Sequence, residues 1–287
     1  MKLRIAAFFI AVCWPVLSFA TDDVGALLNK ALDELVRNGY VGDTSAAERY
    51  LGAILEQQPD HLEAQWQLVY IKLVPLSNTP LSQRATALFA ISPAFDRLAK
   101  LAHQSKQQAF LHFITAMYAS YYNTYERALT EIDQALALEP QSVRYLTAKG
   151  RLLVNYGKWT KRDAEIEKGI SVFKQARELF QTQPSPFIRD EYYDFYLAGA
   201  IADLSHPRWK EVAEHYQRFI ERSQESVAYA FAWNNASIAY RQLGECDKAK
   251  EVAEKALKVT KFGAAEWNKR YAEFCIEMQK MALKIKK

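Results

Sequence analysis

The chain has 287 residues, half of them hydrophobic, so it can bury a large core. Its formal net charge is only +4, which excludes the strong basic excess that nucleic-acid binding draws on. Glycine and proline are scarce, at 10 and 9 residues. They punctuate segments of helical periodicity, and no alternating run is joined by hairpin-turn residues, so the expected class is all-α.

Residues 1–20 read as a cleaved secretory signal. Lys2 and Arg4 give a positive start, an apolar run follows, and Ser18 and Ala20 put small residues at −3 and −1 before Thr21. The apolar run is shorter than the ~20 residues that a membrane span needs. Cys13 raises a lipoprotein reading, but Val12 precedes it where a small residue is expected. The expected mature protein is therefore residues 21–287, periplasmic or secreted. Losing Lys2 and Arg4 lowers its formal charge to +2. Cys246 and Cys275 remain, a candidate disulfide in an oxidising compartment.

Helical units follow in order. Ala47 and Leu51 precede Pro59, which leads into a helix over Leu62–Leu73. Residues 75–107 are helical but irregular. Ala128, Ile132 and Ala135 end at Pro140, and the next helix begins near Val143 with Leu146 and Gly150 as its large and small residues. Gly169, Phe173 and Ala176 mark another helix, and Val212, Tyr216 and Phe219 a further one. The clearest unit has Trp233, Ala236, Ser237, Tyr240, Leu243 and Gly244, then alanines at 249, 253 and 256. Trp267 comes one 34-residue period after Trp233.

These residues at these spacings resemble the tetratricopeptide repeat, most specifically over 233–260 and well over 128–155. Small residues at Ser237, Ala249 and Ala256 let two antiparallel helices approach, Trp233 and Tyr240 fill the space between hairpins, and Gly244 permits the tight turn. The resemblance implies an α–α solenoid, a right-handed superhelix of five to six helical hairpins. A capping helix over 264–285 would close its end.

The resemblance also implies a binding face, because the first helix of each hairpin lines the inside of the superhelix. Carried over by position, the inner face starts with Trp66, Tyr70, Phe113 and Met117. It continues with Arg144, Arg151, Asn155, Asn234 and Arg241. A face that runs from aromatic to polar and basic suits a peptide with an apolar anchor and an acidic group or free carboxylate.

Catalytic signatures are absent. There is no phosphate loop, no H-E-x-x-H, no G-x-S-x-G and no CxxC, so no catalytic residue, metal or cofactor is expected. The five histidines read as surface or interface residues. Asp190, Glu191 and Asp194 follow Pro184 and Pro186, where a helix starts and carboxylates favour the positive end of its dipole. Read otherwise, they are the acids of a helical cell-envelope hydrolase acting on glycan. Lys280, Lys284, Lys286 and Lys287 suit the last turns of a helix, so membrane contact is peripheral at most. The expected function is a scaffold or adaptor, not an enzyme. It holds a protein or peptide partner, and no nucleic acid, in envelope assembly or secretion.

Overall fold

The computed structural model describes residues 23–37, 42–223, 227–259 and 263–285. The expected signal segment, 1–20, lies outside them. The described residues form thirteen α-helices and one short 3-10 turn, Val74–Asn78, and no strand. In chain order the helices are α1 Val24–Arg37, α2 Ser45–Gln57, α3 Leu62–Leu73, α4 Leu81–Gln104, α5 Gln108–Ser120, α6 Tyr125–Leu138 and α7 Val143–Thr160. They continue with α8 Asp163–Phe180, α9 Glu191–Ala202, α10 Trp209–Arg222, α11 Val227–Gln242, α12 Cys246–Val259 and α13 Gly263–Ile285.

Successive helices pair, α1 with α2 through to α11 with α12, and each hairpin packs on the next. Six hairpins and a last helix result. The irregular stretch after residue 74 is the 3-10 turn plus α4, which carries Pro93 inside it. Proline there removes a backbone donor, a departure from an uninterrupted repeat helix.

Small residues set the close crossings. Ala128, Ala135, Ala249 and Ala256 are fully buried on second helices. A side chain added at Gly150 would start 2.6 Å from the Phe173 ring, so the α7–α8 crossing requires glycine. Gly244 has φ +75°, a left-handed conformation that glycine adopts without a Cβ clash, and it makes the α11–α12 turn. The structure joins Cys246 to Cys275 by a disulfide, with Cα atoms 5.7 Å apart, which pins α13 to the start of α12.

The stack also curls onto itself. Tyr192 of α9 donates its hydroxyl to the carbonyl of Val36 at the end of α1, at 2.7 Å. Arg189 pairs with Asp33 beside it. Val36 thus joins the core formed by α9 and α10. The inner face is in consequence divided into part-open recesses rather than one continuous trough.

Candidate functional site

The main recess lies where α3, α5, α7 and α9 face each other, and its volume is about 350 Å³. Trp66, Tyr70, Phe113 and Met117 line one side, Arg144, Thr147 and Arg151 another. Six of the nine inner-face residues expected from the sequence therefore meet here. The opposite wall is Phe187, Ile188, Tyr192, Phe195 and Tyr196, with Val36 and Phe231 at the margins. Position within a repeat does not select that wall. The run of aromatic residues from Tyr192 to Tyr196 is visible in the sequence, but it falls off the family pattern, and only the curl of the stack brings it across.

The aromatic side is a packed assembly. Trp66 stacks on Tyr70 at 5.2 Å and meets Phe113 edge-on at 5.7 Å. Phe113 in turn stacks on Tyr145 at 5.1 Å. Trp66 is only 1 % exposed. It forms the floor of the recess and belongs to the core, which corrects the expectation of an anchor that a partner touches directly.

The two arginines differ. Arg144 donates to both carboxylate oxygens of Glu63, at 2.7 and 3.0 Å, and its guanidinium lies 4.3 Å from the Phe113 ring centre and 3.9 Å from that of Phe187. Its bidentate donor capacity is already taken by an internal partner. Arg151 donates to the Tyr70 hydroxyl at 2.9 Å and faces the Tyr196 ring. Among the described residues no carboxylate pairs with it. Burial raises Tyr121 and Tyr196 above the usual phenol range, so both stay neutral at physiological pH and supply no counter-charge.

Arg151 and Met117 also belong to a second recess, of about 430 Å³. Arg84, Asn123, Asn155, Lys158 and Trp159 line it, and among the described residues no acidic one does. Asn155 thus contributes beside the main recess, not in it. Asn234 and Arg241 stay apart from both. Asn234 accepts from Asn268 of α13 at 2.8 Å, and Arg241 lies over the Tyr271 ring at 4.8 Å. These two inner positions hold α13 in place, a role that position within a repeat does not reveal.

The acidic cluster stands at the start of α9, as expected: Asp190 is the N-cap residue, and Glu191 and Asp194 lie in the first turn. Asp190 makes no capping hydrogen bond to the start of α9. It accepts from Arg222 at 2.7 Å and Gln181 at 2.9 Å. Asp194, fully buried, is held by His215 Nδ1 at 2.7 Å, Arg218 at 3.0 Å and Arg177 at 3.2 Å. Burial acts to raise the Asp194 carboxyl, but the hydrogen bonds from His215 and Arg218 and the charges of Arg177 and Arg218 outweigh it and hold it below the usual range. A glycosidase acid needs its proton, and this environment removes it. Among the described residues no group of three or more His, Cys, Asp or Glu side chains is placed to hold a metal ion. No helix among them is long and apolar enough to cross a membrane.

No protein-family model matches the chain, and no curated protein matches it significantly. Solved structures do. Yeast Tom70 matches with a TM-score of 0.55 and 14 % identity, over 92 % of this chain and 50 % of that one. The chain thus spans half of Tom70's length. MamA matches with a TM-score of 0.43 and 18 % identity, over 62 % of this chain and 92 % of that one. YrrB, described as "a TPR protein with an unusual peptide-binding site", matches with 0.44 and 15 %, over 77 % and 97 %. Identities this low show fold alone. The chain is an all-α helical-repeat protein of tetratricopeptide-like fold.

Proposed function

We propose that this protein is an exported adaptor that holds a segment of a partner protein in its inner recesses, serving envelope assembly or secretion. The segment offers an apolar side chain to the aromatic recess and an acidic side chain or terminal carboxylate to Arg151. One observation carries this reading: among the described residues no carboxylate pairs with the Arg151 cation, which is placed where the apolar recess meets a basic one. A sunken guanidinium without a counter-ion is costly, and a ligand carboxylate relieves that cost with charge-assisted hydrogen bonds. The 350 Å³ of the main recess suits one or two bulky side chains.

A displayed random-peptide library with free C-termini tests the reading. Selected sequences should pair an aromatic or branched apolar residue with a nearby carboxylate, and their amidated or Gln/Asn counterparts should bind far more weakly. Selection of basic peptides, or of none, would overturn it. Export is tested separately by mass spectrometry of the processed chain, which should begin at Thr21.

A further inference from the structure

Helix α13 does not present the polar outer surface that ends a helical stack. Trp267, Tyr271, Phe274, Met278 and Met281 are each 49–64 % exposed. They follow one another at intervals of four, three, four and three residues, the spacing of a coiled-coil seam. The helix packs on its own molecule through the opposite face, where Ala265 and Ala272 are fully buried and Asn268 bonds to Asn234. The disulfide at Cys275 fixes that orientation, so the stripe faces outward, with Arg241 of α11 reaching the edge of it at the Tyr271 ring.

The repeat explains why the stripe exists. Trp267, Tyr271 and Phe274 stand 34 residues after Trp233, Ser237 and Tyr240. Those three are buried, at the α11 face that packs on α12. The corresponding face of α13 is shaped to receive a helix, and among the described residues none covers it.

Charge selects the occupant. In an antiparallel pair of α13 helices, one register sets Trp267 opposite Met278 and Tyr271 opposite Phe274 of the other copy. Arg270 then flanks Glu277 of the second copy, and the two-fold axis makes the contact twice. A shift by one heptad sets Glu277 against Glu277 and Arg270 against Lys284, which repels. A parallel pair sets Arg270 beside Cys275 and Glu277 beside Ala282, with no charge contact. The seam is thus self-complementary in one arrangement. At half-exposure the three rings alone leave ~300 Å² uncovered per copy. The methionines extend the patch towards the ~800 Å² per partner of a standard interface.

We infer that α13 is a dimerisation helix, which pairs antiparallel with α13 of a second copy through the stripe from Trp267 to Met281. The test is analytical ultracentrifugation of the protein as purified from cells, with its disulfide intact. The wild type should sediment as a concentration-dependent dimer, and Met278→Glu as a monomer. Arg270→Glu and Glu277→Arg should each weaken dimerisation roughly tenfold, the loss of two flanking charge pairs. The double variant, Arg270→Glu with Glu277→Arg, should recover the wild-type constant. A wild type that is monomeric at every concentration would overturn the inference. So would a double variant as weak as the single ones, since the stripe would then pair in some other way.

Discussion

Two charges set into the inner structure are treated in opposite ways. Asp194 on α9 is fully buried and enclosed by His215, Arg177 and Arg218, with Asp190 and Arg222 completing the ring. Arg151 on α7 has a tyrosine hydroxyl and an aromatic face, and no carboxylate among the described residues. The difference separates a structural charge from an available one. The first is neutralised by residues of neighbouring helices and locks α8, α9 and α10 together. The second is the one that the proposed partner would meet.

Removing the anion should have the largest effect. Asp194→Ala leaves three arginines and a histidine facing each other, and breaking a buried ion cluster from one side costs ~3–5 kcal/mol. Urea denaturation should show that loss. The same cluster sets an acid limit. Asp190 and Asp194 titrate below the usual carboxylate range in the folded protein. Their stabilisation is present above the unfolded value of ~3.9 and is lost as pH falls through the folded values. Asp194→Asn should therefore be less stable at neutral pH and lose part of its dependence on pH below about 4. An unchanged acid profile would show that the cluster is not the structural lock.

The fold was largely legible in the sequence, and the two charges were not. Small residues such as Gly150 and Ala128, and the turn at Gly244, are fixed by local steric needs, so they announce the hairpins wherever the stack bends. The inner-face rule located Trp66, Tyr70, Phe113, Met117, Arg144 and Arg151 at one recess. It could not tell which arginine is open, because Glu63 lies 81 residues before the Arg144 it binds. Nor could it supply the wall from α9, which arrives only when the stack curls to bring Tyr192 onto Val36. Asp194 is the helix-start carboxylate that the sequence suggests, but its ion cluster was not legible, because its partners His215 and Arg218 sit on the next helix.

Removing the cation should act on binding and spare the fold. Arg151→Met strands no carboxylate among the described residues, so its effect on unfolding should be small next to that of Asp194→Ala. A peptide selected against the wild type should lose about 2 kcal/mol, roughly 30-fold in Kd, measured by calorimetry. Arg144→Met makes the contrast sharper. It leaves the largely buried Glu63 carboxylate with the Gln67 amide but without its cation, so it should cost stability more than it costs affinity.

The smallest effect should come from Arg241. By position in the repeat it is equivalent to an inner-face residue, and on that ground alone it would touch the partner. In the structure its guanidinium lies over Tyr271 of α13, outside both recesses. A cation–π contact at an exposed site is worth ~0.5–1 kcal/mol. Arg241→Ala should lower stability by about that amount, through a looser α13. It should leave affinity for the selected peptide unchanged, because no charge near Arg151 is altered and the recess walls come from α3, α5, α7 and α9. Calorimetry on folded Arg241→Ala protein decides the matter. If its Kd rises as far as that of Arg151→Met, the partner spans the whole inner face, and the division between a closed C-terminal end and an open middle fails.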